Sequence, residues 1–296
     1  MNKTKNGTPM SIKDQSIFLR GNRTGVLLIH GLGGTPAEMK TVAKRLSGAG
    51  NTVLCCQLAG HCSSEADLAA TSWQDWYASA EQGLAQLEGC CDRIVVGGLS
   101  MGGLLAAKLA AAQPERVRGL VILAPTLWYD GWSIPWYSFM LKTLSFLIGT
   151  PIFNHWRFVE REPYGVKDER VRRIIVQAMH SGDSGIAGIL RTPPQALREL
   201  WRLVDALKPE LGRIKQNTLL VQAREDDVAS IANTQYLQRR LGGLVETLIL
   251  DDSYHLVTMD RQRNLVTDRV VSFVQAVAGV GKSAPIAKSA VPSHAA

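Results

Sequence analysis

Residues 93–110 read RIVVGGLSMGGLLAAKLA, and this stretch decides the fold. A run rich in β-branched residues stops at four glycines that surround Ser100, and a run rich in alanine and leucine follows. This pattern predicts a buried strand, a tight turn and a helix. Such a turn strains its central residue, and the flanking glycines remove Cβ atoms that would collide there. The G-x-S-x-G pattern at 98–102 therefore predicts an exposed hydroxyl at the carboxyl end of a strand, although a plain glycine-rich turn is the alternative.

Short β-rich runs recur along the chain, and most of them are continuously apolar, which is typical of parallel strands that are covered on both faces. They lie at 26–30, 52–56, 93–97, 119–123, 218–222 and 246–250. Helical patterns lie between several of them. Thr35 is the predicted N-cap of one such helix, with Pro36 at its first position and Glu38 three residues after the cap. The alternation predicts an α/β fold with a mostly parallel, doubly wound sheet.

The alternation breaks once, and this break divides the chain. We predict an α/β core at 25–125 and 214–278, interrupted by a helical cap at 126–213 that contains most of the tryptophans. Residues 1–24 form a polar N-terminal segment. Residues 279–296 are rich in alanine, serine and proline and are predicted to be disordered.

The net charge of +7 on 296 residues raises the question of nucleic-acid binding. Residues 1–24 and two lysines after Ala278 account for six of these charges, so the body of the chain is almost neutral. Binding to phosphates requires a local basic cluster. We therefore expect no nucleic-acid partner.

The cysteines and the terminal sequence bear on metal binding and compartment. The cysteine spacing does not match a zinc site. The odd number of cysteines and the strand-like surroundings of Cys55 and Cys56 predict reduced, mostly buried thiols. Residues 1–15 contain no apolar run of signal-peptide type, so we expect a cytoplasmic protein. Residues 134–153 approach membrane length but include two prolines and a lysine, which favours a buried or interface-seeking helix over a membrane span. The five cysteines are Cys55, Cys56, Cys62, Cys90 and Cys91.

A serine nucleophile needs a base at neutral pH, and His255 is the best candidate. It follows the last predicted strand in LILDDSYHLVTMD. The carboxyl ends of parallel strands meet at one edge of the sheet, which is the edge that Ser100 occupies. His30 ends the first strong strand and is interpreted as part of the local loop structure. The remaining histidines fall in the predicted cap, the tail and one loop: His155, His180, His294 and His61.

The base needs a carboxylate that fixes its tautomer and stabilises the imidazolium. In this fold the chain order is nucleophile, acid and base. Three acids follow the predicted strand at 218–222: Glu225, Asp226 and Asp227. Asp226 is our choice, and the other two remain alternatives, as does the interpretation of all three as solvated turn residues.

Backbone amides are expected to stabilise the oxyanion that forms when a serine attacks a carbonyl. The expected donors are the N–H groups of Leu32, in the glycine-rich sequence at 30–34, and of Met101, directly after the nucleophile. A phosphate-binding loop is the alternative interpretation of HGLGG. The sequence lacks both the P-loop lysine and the G-x-G-x-x-G spacing, so we expect no nucleotide, metal or other cofactor.

Four stretches together resemble the small bacterial carboxylesterases and monoacylglycerol lipases of the α/β-hydrolase superfamily. They are LLIHGLGGTPAEM, GLSMGGLLAAKLA, LLVQAREDDVAS and DDSYHLVTMD. The resemblance implies a core sheet of about eight strands, a cap inserted between strands six and seven, and hydrolysis of acyl esters without a cofactor. Carried over by position, it makes Ser100 the nucleophile, Asp226 the orienting acid in a D-x-V motif and His255 the base. The sequence departs from the family at Leu32, where an aromatic residue is common, and at Cys62, where the last glycine of Gly-His-Gly is usual.

The expected function is therefore hydrolysis of small carboxylic esters, acylglycerols or similar lipid esters among them, through an acyl-enzyme. The tryptophan-rich cap favours an apolar acyl group and a transient contact with a lipid surface, although these side chains could equally pack the cap onto the sheet. A thioesterase or an acyltransferase would use the same triad. A ligand-binding homologue without catalysis is a further alternative.

Overall fold

The computed structural model describes residues 14–135, 143, 148, 158–159, 161–180, 188–189 and 191–279. Its main feature is a seven-stranded sheet with the order β1-β3-β2-β4-β5-β8-β9. The strands are β1 (Ile17–Leu19), β2 (Thr24–Ile29), β3 (Thr52–Cys56), β4 (Arg93–Leu99), β5 (Gly119–Leu123), β8 (Asn217–Ala223) and β9 (Val245–Leu250). A separate antiparallel pair consists of β6 (Phe158–Val159) and β7 (Arg191–Thr192).

All six predicted strands are present, and their ends differ from the prediction by two residues at most. They pair in parallel, for example Val26 with Val95 and Leu123 with Val221. The strand β1, which pairs with β3 in the antiparallel sense, was not predicted. Its apolar run, Ile17–Leu19, has only three residues, which is shorter than the runs that indicate a strand in a sequence. The sheet has seven strands in the described part of the chain, against about eight expected.

Helices cover both faces of the sheet. They are α1 (Lys40–Gly48), α2 (Glu65–Ala69), α3 (Trp73–Glu88), α4 (Met101–Ala112), α5 (Glu169–His180), α6 (Pro194–Leu207), α7 (Ile231–Arg240) and α8 (Arg263–Val277), with 3₁₀ turns at Pro36–Met39 and Lys208–Arg213. Alternate residues of β2 enter different cores. Leu27 packs with Trp76 of α3, whereas Leu28 packs in a second core that includes Val270 of α8. This two-sided burial confirms the doubly wound fold.

The chain between β5 and β8, here called the insertion, includes residues 126–213, which were predicted to form a cap. Its described elements are β6, β7, α5 and α6. The helix α6 contacts α3 and α4, and its residue Leu200 is buried in the same core as Trp76. One helix of this insertion therefore belongs to the helical layer that covers the sheet. Most of the segment at 134–153 and the tail after Gly279 lie outside the described residues.

None of the helices in the described ranges is long and apolar enough to cross a membrane. The five cysteines are free thiols, and all except Cys90 are buried. Cys62 has a φ of 61°, which lies in the left-handed region. The backbone adopts this conformation although the residue is not the glycine that the resemblance leads us to expect here.

Candidate active site

Ser100 lies in the turn that connects β4 to α4, with φ 55° and ψ −120°. A non-glycine residue in this region is strained, and the surrounding backbone must enforce it. Close packing does so here: a Cβ on Gly98 would lie 2.2 Å from the carbonyl carbon of Gly102, and a Cβ on Gly102 would lie 2.2 Å from the oxygen of Ile29. The Ser100 amide also donates to the Leu123 carbonyl (2.8 Å) at the end of β5.

The Ser100 hydroxyl has a neighbour that the sequence did not indicate. Its Oγ lies 2.9 Å from Oγ1 of Thr126, which follows β5 and is buried. The Thr126 hydroxyl can also donate to the carbonyl of Ala124 (3.2 Å). A threonine hydroxyl thus holds the Ser100 side chain at the edge of the sheet.

His255 and Asp226 come together as predicted, in the loops that follow β9 and β8. The ring atom Nδ1 of His255 lies 2.9 and 3.0 Å from the two carboxylate oxygens of Asp226. Because the ionised carboxylate only accepts hydrogen bonds, Nδ1 carries the proton and Nε2 is the basic nitrogen. Both side chains are buried. Since β4, β8 and β9 run in parallel, these loops and the Ser100 turn lie at the same edge of the sheet.

The three acids after β8 have different partners. The Asp226 carboxylate accepts hydrogen bonds from the amides of Val228 (2.9 Å) and Ala229 (2.8 Å), in addition to its contact with His255. Glu225 lies at the surface and pairs with Lys167 (2.7 Å). Of the three, Asp226 is the one that contacts the imidazole ring.

Asp227, the third acid, holds the backbone that carries the base. Its carboxylate accepts hydrogen bonds from the amides of His255 (3.2 Å) and Gly165 (3.0 Å). Burial raises the pKa of Asp227, the nearby His255 opposes that rise, and the neighbouring Asp226 adds to it. The residues of this turn alone left Asp227 as an alternative, and the D-x-V motif of the resemblance favoured Asp226.

Asp260 was assigned no role from the sequence, although this residue ends the stretch DDSYHLVTMD. This buried carboxylate accepts four backbone hydrogen bonds, which join the loop of the base to the start of α5. The donors are the amides of Tyr254 (2.6 Å), Lys167 (2.9 Å), Asp168 (2.9 Å) and Arg261 (2.9 Å). The position of His255 therefore depends on residues of the insertion.

The loop that follows β2, residues 30–34, lies beside the Ser100 turn. The carbonyl of Gly31 lies 2.9 Å from Nδ1 of His30 and accepts the amide of Gly34 (3.2 Å). The Nε2 of His30 in turn accepts the amide of Leu58 (3.3 Å), so Nδ1 is its protonated nitrogen. Burial lowers the pKa of His30 to about 3, which keeps it neutral. The structure thus places His30 in the loop framework, as its sequence position suggested.

The amides of Leu32 and Met101 are the predicted oxyanion donors. Met101 is the first residue of α4, where the N–H groups of a helix have no partner within the helix. Neither amide donates to another residue within the described ranges. Of the other histidines, His155 and His294 lie outside those ranges, and His180 ends α5.

The sequence also matches a known protein family. Residues 21–262 match the family model Hydrolase_4, described as serine aminopeptidase, S33. The chain belongs to this family. The membership confirms the predicted resemblance to the α/β-hydrolases.

Two relatives of this S33 family member cover nearly its whole length. A thermostable monoacylglycerol lipase of Bacillus sp. (strain H-257) is 27% identical over 266 residues, which is 90% of this chain and 96% of the relative. A carboxylesterase of Bacillus subtilis (strain 168) is 24% identical over 259 residues, covering 86% and 94% of the two chains.

Solved structures agree on the fold of the S33 chain. A structure from work on LipS and LipT, two metagenome-derived lipolytic enzymes, superposes with a TM-score of 0.75 at 29% identity, covering 88% of this chain and 97% of that one. The monoacylglycerol lipase of Paleococcus ferrophilus gives a TM-score of 0.72 at 18% identity, with 90% and 99% covered.

Proposed function

We propose that this chain hydrolyses carboxylic esters through an acyl-enzyme on Ser100, with His255 as the base and Asp226 as the orienting acid. The observation that carries the proposal is the contact between Nδ1 of His255 and the Asp226 carboxylate (2.9 Å), at the sheet edge where the strained Ser100 stands. The serine-hydrolase family and the lipase and esterase relatives support ester hydrolysis.

The chemistry follows from these positions. The Ser100 oxygen attacks the ester carbonyl carbon while Nε2 of His255 takes the hydroxyl proton. The carbonyl oxygen becomes an oxyanion that accepts hydrogen bonds from the amides of Leu32 and Met101. The imidazolium protonates the departing alcohol, and the C–O bond to it breaks. Water then attacks the acyl-enzyme with the same base, which releases the acid and restores Ser100.

The proposed substrates are acylglycerols or similar lipid esters. The thermostable relative is a monoacylglycerol lipase, which supports a glycerol ester of an apolar acid. Apolar side chains at the surface of the insertion support a transient contact with a lipid surface: Trp132 is 59% exposed and Ile174 is 67% exposed. Faster hydrolysis of an emulsified acylglycerol than of the same ester in monomeric form would support that contact, and equal rates would contradict it.

The central experiment is a series of p-nitrophenyl esters from acetyl to palmitoyl, assayed with the wild type and Ser100→Ala. We expect turnover that depends on acyl length in the wild type and a loss of kcat of about 10⁴-fold or more in the variant. Labelling by a fluorophosphonate should require Ser100. The exposed Ser272, whose hydroxyl donates to the Asp268 carbonyl, supplies a matched Ser272→Ala control that should label normally. Equal background rates in the wild type and Ser100→Ala would refute the esterase function.

Three further substrates distinguish chemistries that use the same groups. A matched thioester tests thioesterase activity, and an added alcohol tests acyl transfer by the appearance of a new ester. An aminoacyl p-nitroanilide tests the amide hydrolysis that the family description suggests. We expect the oxygen ester with water as acceptor to be turned over fastest. A labelled Ser100 with faster turnover of one of the other three substrates would reassign the reaction.

A further inference from the structure

Glu38 is a buried acid that the proposed mechanism does not use. It lies in the 3₁₀ turn Pro36–Met39, directly after the loop at 30–34 that carries the Leu32 amide. Thr35 caps this turn, and its side chain accepts the amide of Ala37. Glu38 occupies the third position after the cap, where an acidic side chain ordinarily reaches back to the backbone of the cap residue.

The Glu38 carboxylate reaches both ends of the loop. Its Oε2 accepts the amide of Gly31 (3.1 Å), and a hydrogen bond from the backbone of Thr35 also lowers its pKa. Between these ends the loop lies directly on the carboxylate: a Cβ on Gly34 would stand 2.1 Å from Oε1. The glycine at 34 is therefore what lets the loop lie against Glu38.

These contacts determine where the Leu32 N–H points. In a trans peptide, a carbonyl and the N–H of the next residue point in opposite directions. The Gly31 carbonyl is held by His30 and Gly34, so the Leu32 N–H is turned away from both. With Glu38 holding the Gly31 amide, every polar backbone group of Gly31 has a partner. Ser100 lies beside this part of the loop, since its Cβ is 3.6 Å from where a Cβ on Gly31 would stand.

We propose that Glu38 is a positioning residue whose carboxylate fixes the loop at 30–34 so that the Leu32 amide meets the substrate oxyanion. This inference rests on the proposed esterase function. Glu38 itself touches neither substrate nor Ser100 in this scheme; it acts through the peptide that it holds.

The charge of Glu38 gives the proposal a pH signature. Burial raises its pKa to about 7, and the opposing causes are the Gly31 amide, His255 and the Thr35 backbone. Cys62 faces the same carboxyl from the loop after β3. Above pH 7 the carboxylate accepts both amides, whereas protonation replaces one acceptor with a donor. His255 itself is contacted by two further acids: Asp226 contacts its ring, and Asp227 accepts its amide.

Activity should therefore fall at acid pH for two reasons, the protonation of His255 and that of Glu38. In the wild type the acidic limb of kcat/KM should be steeper than a single protonation gives, with a slope between 1 and 2 on a logarithmic plot. In Glu38→Gln only the imidazole titrates, so the slope should be 1. A role confined to stability would leave this slope unchanged.

The test compares Glu38→Ala and Glu38→Gln with the wild type, on the best p-nitrophenyl ester. Loss of an oxyanion donor costs about 10²- to 10³-fold in kcat, and a displaced donor costs less. We expect kcat to fall about 10- to 100-fold in Glu38→Ala with KM within about twofold, and an intermediate loss in Glu38→Gln, which keeps one acceptor oxygen. Affinity for a trifluoromethyl ketone, whose adduct carries an oxyanion, should fall by the same factor as kcat.

Asp75→Asn is the matched control. Asp75 is also an acid three residues after a helix cap, and it accepts the amide of Ser72 (2.8 Å) at the start of α3. This variant should lose capping and keep kcat. Unchanged kcat, ketone affinity and acidic slope in Glu38→Gln would overturn the inference, and this variant answers the question if Glu38→Ala fails to fold. The proposed function fails separately, when the wild type itself neither hydrolyses esters nor labels at Ser100.

Discussion

The two sides of the candidate site are held by different forces. On the nucleophile side, β2, β4 and α4 approach so closely at Gly98 and Gly102 that a single methyl group would collide with backbone. On the base side, buried carboxylates hold the loops: Asp226 holds the ring of His255, Asp227 its amide, and Asp260 the surrounding backbone.

The two sides should therefore be sensitive to different changes. Close packing of backbone depends on shape and carries no charge, so the nucleophile turn is insensitive to pH and tolerates no added volume. A carboxylate that accepts several amides depends on its charge and on every donor that it holds. Because Asp227 and Asp260 also bind Gly165, Lys167 and Asp168, changes at these three positions should affect the base more than the nucleophile.

The largest effect on the base side is expected from Asp226→Asn. The variant keeps the shape of the side chain and lets the imidazole adopt the wrong tautomer, so kcat should fall by about 10⁴-fold. Kinetics on a p-nitrophenyl ester measure this, with Glu225→Gln as the control because that acid pairs with Lys167 at the surface. A similar loss in both variants, or a larger one in Asp227→Asn, would assign the orienting acid differently.

The nucleophile side is tested by adding one methyl group. In Gly102→Ala the new Cβ would lie 2.2 Å from the Ile29 oxygen and 2.5 Å from the His30 oxygen, so β2 and α4 must separate. We expect a loss of unfolding free energy of about 3 kcal/mol, at the upper end for overpacking, together with weak fluorophosphonate labelling. Gly48→Ala is the control: nothing lies within 4 Å of its new Cβ, and urea denaturation should show a gain of roughly 0.5–1 kcal/mol. Normal labelling in Gly102→Ala would contradict this expectation and show that the turn accommodates the added methyl group.

A smaller effect is expected from Asp260→Asn. The amide oxygen keeps some acceptor capacity, but its NH₂ group faces amides that need an acceptor, which should cost about 1–3 kcal/mol of unfolding free energy. Because Asp260 lies in the loop of the base, kcat and the rate of Ser100 labelling by a small fluorophosphonate should both fall, since both require His255. An unchanged kcat would show that Asp260 does not hold the base and would remove the distinction between the two sides.

Much of this architecture could be predicted because its signals are local. Six strands carry short, mostly apolar runs, and the glycines around Ser100 mark the turn within five residues. The edge strand β1 was missed because its apolar run has only three residues. The capping position of Glu38 was recognised, whereas its hold on Gly31 was not, since the contact depends on how the loop folds back over the turn.

The sequence by itself determined the sheet, the turn and the candidates for nucleophile and base, because hydrophobic periodicity and glycine sterics act between neighbours in the chain. Only the tertiary structure decided which carboxylate holds which group. The D-x-V motif favoured Asp226 as the orienting acid, but a motif does not show which group each acid contacts. The partners of Glu225, Asp226 and Asp227 are residues distant in the sequence: Lys167, His255 and Gly165. The contacts of Thr126 and Asp260 also depend on the tertiary structure, because folding brings hydrogen-bond partners to a buried polar group from elsewhere in the chain.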